Sequence, residues 1–166
     1  MLTQHRLKEL FYYDADLGVF TRRVSTNRSA KAGTTAGTDD GAGYLRITVD
    51  KKRYRAHRLA WLFVHGAFPI VELDHINQNR SDNRIANLRV VNKSENQQNT
   101  FAPVTNTSGV KGVYWNKAAK KWQAQLCVKG QLIYLGVFSC LDTAAAAYSN
   151  AVSSLHTHAP LPKKPK

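Results

Sequence analysis

The fold of this chain is decided by the stretch from Glu72 to Asn99, ELDHINQNRSDNRIANLRVVNKSENQQN. Its first apolar residues lead directly into Asp74-His75, and a turn region rich in asparagine follows. The short apolar run Leu88–Val91 predicts a second strand, and the polar segment after it predicts a helix. The stretch therefore indicates a strand, a wide loop, a short strand and a helix, in that order.

Most asparagines in this stretch have a structural interpretation. Asn92, with Glu95 three residues later, predicts a capping box at the start of the helix. Asn77, Asn79 and Asn83 occur where turns favour left-handed or side-chain-capped backbone, and we interpret them as turn residues.

Four residues of the stretch remain as candidates for chemistry: Asp74, His75, Asn87 and Asn96. The predicted hairpin and helix can bring them to one point. A carboxylate and amide oxygens are hard ligands suited to Mg²⁺ or a similar cation. A neutral imidazole beside them can take a proton from water. A lone histidine after a strand is more often a structural hydrogen-bonding residue, so the combination indicates the site, not His75 alone.

The charge of the chain favours a nucleic-acid partner. Its 166 residues contain 24 Lys+Arg and 11 Asp+Glu, a formal net charge of +13, and such a surplus favours a polyanion. A basic membrane-surface protein is the alternative, but no amphipathic helix with a basic polar face is evident. Neither a spanning segment nor a signal peptide is predicted. Cys127 and Cys140 lack zinc-knuckle and disulfide-framework spacing, so we expect a cytoplasmic protein. We also expect it to be a monomer and to have no membrane partner.

The residues before the opening stretch predict mixed helices and strands without repeated strand–helix–strand units, which is typical of an α+β fold. The predicted elements are a helix over residues 3–13 capped by Thr3, a strand from Gly18, a loop over 25–43, a strand over 43–49, its return strand from Arg53, and a buried helix over 57–65 that ends at Gly66.

A second part is predicted after the segment 101–108, which contains a proline and shows no periodicity. Strands over 110–115, 121–128 and 131–138 and a helix over 141–155 predict a three-stranded antiparallel sheet covered on one face. Alternation places Ala124 and Leu126 on the covered face and Gln123 and Gln125 on the exposed face. Residues 101–166 contain eight lysines and a single acid, Asp142.

Four short motifs of the opening stretch resemble those of the HNH endonucleases in their phage-type form. They are D-H-I-N, D-N-R, N-L-R and E-N, at Asp74–Asn77, Asp82–Arg84, Asn87–Arg89 and Glu95-Asn96. The resemblance covers roughly residues 40–100 and includes His57-Arg58-Leu59. It implies a ββα-metal nuclease domain over 1–100, with its core at 43–100, that hydrolyses phosphodiester bonds to 5′-phosphate and 3′-hydroxyl ends.

The same resemblance implies a role for each candidate. His75 would be the general base, Asp74 and Asn96 would hold one Mg²⁺ or Mn²⁺ in preference to Zn²⁺, and Asn87 would brace the loop and orient His75. Arg80 and Arg84 either grip the DNA backbone near the cut or are solvated loop charges. His57 either lies close to the site or is a hydrogen-bonding residue of the core.

The second part resembles the AP2/ERF-type DNA-binding domain over residues 109–156. The matching segments are Lys111–Val113, Lys121–Ala124, Tyr134–Phe138 and Thr143–Tyr148. The resemblance implies that the sheet enters the major groove of double-stranded DNA. The matching contact positions are Lys111, Tyr114, Asn116, Gln125 and Tyr134, with Gln123 and Gln125 able to pair with adenine and Lys120 and Lys121 binding phosphate. Several guanine-reading arginines of that family are replaced here, so the target sequence must differ.

Together these resemblances predict a homing-type endonuclease, either nicking or cutting both strands, with a linker over 101–108 and a disordered basic tail over 157–166. If the chain is phage-encoded, it would act in the host cell. One alternative is a sequence-specific DNA-binding regulator whose nuclease half is inactive. Another is a nuclease directed to branched DNA by its shape.

Overall fold

A computed structural model describes residues 1–100, 102–103 and 105–157 of the chain. The protein consists of two compact units, Met1–Val91 and Asn92–Lys166. Both combine helices with small antiparallel sheets, so the α+β prediction is confirmed at the level of mixed helices and antiparallel strands. Within the described ranges, no helix is both long and apolar enough to cross a bilayer.

The first unit contains two three-stranded sheets and one hairpin, all antiparallel, in the orders β1-β2-β3, β4-β5-β6 and β7-β8. A single 3-10 turn at Ile85–Asn87 precedes β8. In chain order the elements are α1 (Gln4–Leu10), β1 (Phe11–Asp14), β2 (Val19–Arg22), β3 (Thr35–Ala36), β4 (Thr38–Asp39), β5 (Leu45–Val49), β6 (Lys52–Arg55), α2 (Ala56–His65), β7 (Glu72–His75) and β8 (Leu88–Val91).

The core of the first unit lies between its two helices and the sheets. Leu7 of α1 and Leu59 of α2 are fully buried there, together with Phe20 of β2. Thr3 caps α1 by accepting a hydrogen bond from the backbone N–H of Arg6, and α2 ends at Gly66; both predictions are confirmed. The core holds α2 against the 3-10 turn before β8, which positions the hairpin that carries Asp74 and His75.

Two expectations for the first unit were wrong. The helix predicted over 3–13 ends at Leu10, because Phe11 and Tyr13 turn inward and Tyr12 outward in a strand that pairs with β2. The loop predicted over 25–43 contains β3 and β4, which pair with β2 and β5. Strands of two residues are too short to show alternation, so only their pairing with a longer neighbour defines them.

The second unit contains α3 (Lys93–Gln98), β9 (Val113–Asn116), β10 (Lys121–Val128), β11 (Gln131–Phe138) and α4 (Leu141–Leu155). The sheet order is β11-β10-β9, and α4 packs against the sheet. Ala124 of β10 and Ala144 of α4 are fully buried at this contact. Their small side chains allow the helix to approach the sheet closely. The bounds predicted for the last two strands and the last helix are confirmed.

One strand of the second unit begins later than predicted. β9 starts at Val113, not at residue 110, because Val110 lies in a turn where its carbonyl accepts from the Val113 N–H. The hydroxyl of Ser108 also donates to the Val113 carbonyl. The predicted domain limits, with a linker over 101–108, stay a prediction. Apart from Thr157, the predicted tail lies outside the described residues.

Candidate active site

The β7-β8 hairpin places Asp74 opposite Arg89 and His75 opposite Leu88. Both Asp74 and His75 are buried. The guanidinium of Arg89 donates two hydrogen bonds to Oδ2 of Asp74, from Nε at 3.0 Å and from Nη2 at 2.8 Å. This charge-assisted pair fixes the orientation of a carboxylate that would otherwise be costly to bury.

Asn87 closes the wide loop between the two strands. Its Nδ2 donates to Oδ1 of Asn77 at 3.0 Å and to the carbonyl of Asp82 at 2.8 Å. Its Oδ1 accepts from the backbone N–H of Asn77 at 3.0 Å. One buried amide therefore holds both the start and the middle of the loop that follows His75. Whether it also orients His75 during a reaction stays a prediction.

His75 lies against a second buried amide, that of Asn83. Nε2 of His75 is 3.4 Å from Oδ1 of Asn83, and Nδ2 of Asn83 donates to the carbonyl of Ser81 at 3.0 Å. With Oδ1 facing the imidazole, the contact favours the tautomer that carries hydrogen on Nε2 and keeps the lone pair on Nδ1.

The environment of His75 favours its neutral form. Burial lowers the pKa of His75 below its ordinary value, although the Asn83 contact and the charges of Asp74 and Asp82 act in the opposite direction. A neutral imidazole at neutral pH is the form that can accept a proton from water.

His57 forms one wall of the site. Its ring meets that of His75 edge to face at a centroid distance of 4.9 Å, and it is itself buried. Burial above all, helped by the charges of His75, Arg55 and Arg58, lowers the pKa of His57 to about 3. Its Nδ1 has no hydrogen-bond partner in the described part of the chain. Of the two interpretations of His57, the structure therefore supports the one that places it beside the site.

Asn96 lies on α3, in the second unit. The predicted capping box at the start of that helix is confirmed: Asn92 accepts from the Glu95 N–H at 3.0 Å, and Glu95 accepts from the Asn92 N–H at 2.8 Å. Asn92 is thus a cap. Asn96, within the helix, remains the candidate ligand.

The donor set fits a hard divalent cation by its chemistry. Asp74 offers a carboxylate whose direction Arg89 fixes, and Asn96 offers an amide oxygen. Among residues 1–100, 102–103 and 105–157, no group of three His, Cys, Asp or Glu side chains is placed to bind a metal. Carboxylate and amide oxygens are ligand types that Mg²⁺ accepts; that Asp74 and Asn96 hold one cation stays a prediction.

The two loop arginines differ in their surroundings. Arg84 forms a close ion pair with Asp82, with Nε–Oδ1 at 2.8 Å and Nη2–Oδ2 at 2.6 Å. Arg80 donates from Nη1 to the carbonyl of Ala42 at 3.1 Å and lies over the ring of Tyr44. The charge of Arg84 is therefore largely compensated within the loop.

Sequence reasoning missed the roles of Asn83 and Arg89. Asn83 was interpreted as a turn residue, yet it is almost completely buried, and its carbonyl accepts from the Tyr13 hydroxyl at 2.7 Å. The sequence places Arg89 in the N-L-R motif and indicates no separate role for it. The signal for Arg89 was available, because the register of a hairpin with matched strands places it opposite Asp74. No sequence signal indicated that Asn83 faces His75.

On the exposed face of the second sheet, four predicted contact residues form one hydrogen-bonded network. The hydroxyl of Tyr114 donates to Oε1 of Gln125 at 3.0 Å and accepts from Nε2 of Gln123. Nδ2 of Asn116 donates to Oε1 of Gln123 at 2.8 Å. Tyr134 is 61% exposed. The structure thus brings these residues together on the side of the sheet opposite Ala124 and Leu126.

The three predicted lysine contacts lie in different settings. Lys120 and Lys121 are exposed. The ammonium of Lys111 donates to the carbonyls of Gln97 and Gln98 and to the Thr100 hydroxyl, at 2.5, 3.2 and 2.9 Å. Burial lowers the pKa of Lys111. Lys111 therefore stabilises the C-terminal end of α3, and its predicted contact with DNA stays a prediction.

Comparison with known proteins found one family and one relative for this part of the chain. The family model of HNH endonucleases matches residues 54–98, a range that runs from β6 to the last residue of α3. The chain is also similar to protein 3.8 of Escherichia phage T7, with 33% identity over 81 residues that cover 48% of this chain and 67% of the phage protein. No solved structure matches.

Residues 54–98 therefore form an HNH endonuclease domain. The chain belongs to the family that includes protein 3.8 of phage T7. The resemblance to HNH endonucleases is thus confirmed for this segment, and the domain implies a nucleic-acid substrate. The AP2/ERF resemblance of the second unit stays a prediction.

Proposed function

We propose that this protein is a metal-dependent DNA endonuclease in which His75 is the general base. The observation that carries the proposal is the buried imidazole of His75, whose pKa burial lowers, at the position that follows the anchored carboxylate of Asp74 in β7. Both residues lie within the segment that matches the HNH endonuclease family.

The proposed reaction is the hydrolysis of a phosphodiester bond. His75 takes a proton from a water molecule, whose oxygen attacks the phosphorus. The bond between phosphorus and the 3′ oxygen breaks and that oxygen takes up a proton from solvent water, which leaves a 5′-phosphate and a 3′-hydroxyl end. General-base assistance of this kind typically contributes about 10²–10⁴-fold in rate. Asn87 and Asn83 hold the loop and the imidazole, so the base needs little reorganisation.

Asp74 and Asn96 are the proposed ligands of one Mg²⁺ or Mn²⁺. When bound, this cation supplies positive charge that stabilises the pentacoordinate phosphate and the leaving oxygen. Arg89 supports the arrangement from behind, since its two hydrogen bonds hold Oδ2 of Asp74 and limit the rotation of the carboxylate.

Residues 109–156 of the second unit are proposed to be an AP2/ERF-like domain that directs the nuclease to double-stranded DNA. Its exposed sheet face carries the Tyr114–Gln125 network and the exposed Tyr134, and its exposed lysines have a single acid among them in this part of the sequence. Gln123 and Gln125 suit adenine readout in the major groove. A separate DNA-binding domain joined to a nuclease is typical of a homing-type enzyme. We propose that it acts as a monomer in a host cell.

A plasmid assay tests the proposal. Purified protein is expected to convert supercoiled DNA to nicked or linear forms with Mg²⁺ or Mn²⁺ and to be inactive in EDTA. Asp74→Asn should lower the cleavage rate at least about 10²-fold, by analogy with the loss of a group that contacts the transition state. Glu9→Gln, at an exposed acid of α1 outside residues 54–98, is the matched control. If the wild-type protein binds one site tightly and never cuts with any divalent metal, the regulator interpretation is correct instead.

A further inference from the structure

We propose that Arg55, Tyr44 and Arg80 form a site for backbone phosphates of the DNA strand next to the phosphate that is cut. This inference rests on the proposed function and adds a residue pair, Tyr44 and Arg55, to which no role in the reaction has been assigned.

The centre of the site is the ring of Tyr44, which carries two guanidinium groups. Cζ of Arg55 lies 4.2 Å and Cζ of Arg80 lies 4.9 Å from the ring centroid. Both distances are within the range of a cation–π contact. A single aromatic ring therefore fixes the position of two cations whose side chains are otherwise exposed.

Neither cation is neutralised by a neighbouring acid. In the described part of the chain, the ion pairs of arginine involve Arg6, Arg46, Arg84 and Arg89. Arg46 is the direct cross-strand partner of Arg55, and it pairs with Asp40 at 3.0 Å. Arg55 and Arg80 thus hold two uncompensated like charges near one ring. Such charges repel each other, and a bound anion removes the repulsion.

The turn before β5 preorganises the site. Oδ1 of Asp40 accepts from the backbone N–H groups of Ala42 and Tyr44 at 3.0 and 3.1 Å. The carbonyl of Ala42 in turn accepts from Nη1 of Arg80 at 3.1 Å. The same turn therefore places the aromatic ring and one of its guanidinium groups, which reduces the cost of ordering them when a ligand binds.

The location of the site identifies its ligand. The Tyr44 ring lies 6.0 Å from the ring of His75 and 5.5 Å from that of His57, measured between centroids. A polyanion whose cut phosphate lies at His75 would place a neighbouring phosphate beside Tyr44. A guanidinium is suited to this task because it presents several N–H donors to phosphate oxygens.

The test is the salt dependence of binding to random-sequence duplex DNA in EDTA, so that no strand is cut. Arg55→Gln and Arg80→Gln should each reduce the slope of log K against log salt by about 0.9, and the double substitution by about 1.8. Arg28→Gln, which removes one exposed charge of the same unit that makes no contact with the Tyr44 ring, should leave the slope close to that of the wild type. Equal slopes for Arg28→Gln and the two site variants would overturn the proposal.

Substitutions of Tyr44 test the ring without changing the net charge. Tyr44→Phe should bind DNA as the wild type does, whereas Tyr44→Leu should bind about fivefold more weakly, as expected when two cation–π contacts are lost. If Tyr44→Leu does not fold, Arg55→Lys serves instead, since it keeps the charge and loses the planar donor group; it should weaken binding. Unchanged affinity in the folded variant contradicts the proposal.

The outcomes separate this inference from the proposed function. A protein that never cuts with any divalent metal but shows the reduced slopes lacks the proposed activity and keeps the phosphate site. A protein that cuts DNA but shows the same slope in every variant is a nuclease without this site. Failure to bind duplex DNA in EDTA also overturns the site.

Discussion

The rings of His57 and His75 meet edge to face, with their centroids 4.9 Å apart in a buried setting. Two imidazoles this close cannot readily both carry a charge, and burial lowers the pKa of each. The pair comes from different elements, since His57 lies on α2 and His75 ends β7. The site is therefore built for neutral histidines, and this has consequences for stability as well as for catalysis.

The pH dependence of stability follows from His57. Its pKa is about 3 in the folded protein against 6.5 for the ordinary side chain, so between these values the unfolded chain binds a proton that the folded protein does not. His57 should therefore lower the free energy of unfolding by up to about 1.4 kcal/mol for each pH unit below about pH 6. Urea unfolding at a series of pH values measures it.

His57→Phe should remove that contribution and flatten the acid side of the profile, because the ring remains and no longer titrates. Stability near pH 7 is not the test, since repacking the larger ring has its own cost of about 1–3 kcal/mol. An acid slope equal to that of the wild type contradicts the assignment of the effect to His57.

Gly18 packs directly against the backbone of the catalytic loop. A Cβ atom at Gly18 would lie 2.4 Å from the backbone nitrogen of Arg84 and 2.6 Å from the carbonyl carbon of Asn83, at a φ of +70°. Since both contacts are with backbone, Gly18→Ala should displace Asn83 from His75. We expect a loss of at least about 3 kcal/mol in unfolding free energy and a large loss of cleavage.

Gly33→Ala is the matched control for Gly18→Ala. Its φ is +79°, and nothing lies within 4 Å of the added Cβ, so it should lose only the conformational term of about 1 kcal/mol. Equal destabilisation by the two substitutions would contradict the close approach of Gly18 to the loop.

The hydrogen-bonded pair of Arg89 and Asp74 should contribute more to stability than the surface pair of Arg84 and Asp82. The side chains of Arg89 and Asp74 are 21% and 10% exposed, whereas that of Arg84 is 50% exposed. Arg89→Met leaves a buried carboxylate without its cation, and we expect a loss of about 2–3 kcal/mol. Arg84→Met should lose less than about 1 kcal/mol. Thermal and urea unfolding measure the two losses in unfolding free energy. A larger loss for Arg84→Met than for Arg89→Met would show that Arg89 does not compensate Asp74.

The targeting role of the second unit is tested by Gly112→Ala. The added Cβ would lie 2.2 Å from the ring of Tyr148 and 2.4 Å from the carbonyl oxygen of Gln125, so α4 cannot pack on the sheet as it does now. We expect site-selective cleavage of a library plasmid to be lost, while weak general nicking by the nuclease segment, which includes Asn96 of α3, remains.

Gly109→Ala is the control for this substitution, because its φ of +70° is similar and nothing lies within 4 Å of its added Cβ. Limited proteolysis shows whether the second unit is disrupted. A disrupted second unit with an unchanged map of cleavage ends would contradict the targeting role.

The sequence predicted best those features that depend on neighbouring residues. The capping box of Asn92 and Glu95 needs only a helix start, and β10, β11 and α4 follow from local periodicity. The hairpin around Asp74 and His75 was found for the same reason, since its two apolar runs flank a polar turn. Periodicity could not show β3 and β4, which exist only because longer strands accept them at their edges.

What the sequence could not show was which distant side chains surround His75. Asn83 reaches the imidazole because Tyr13 and Gly18, far from it in sequence, hold its backbone. Tyr44 reaches it because a turn fixed by Asp40 precedes β5. Contacts of this kind depend on packing between elements far apart in sequence, and no local pattern records them.

The most direct test of the account is a paired measurement on His75→Ala: the rate of plasmid cleavage in Mg²⁺ or Mn²⁺, and the affinity for duplex DNA in EDTA. The account predicts that cleavage falls at least about 10²-fold, while affinity stays within about twofold of the wild type because the phosphate-binding arginines are intact. His5→Ala, at an exposed histidine of α1, should change neither. A folded His75→Ala protein that cuts DNA at the wild-type rate would contradict the central claim.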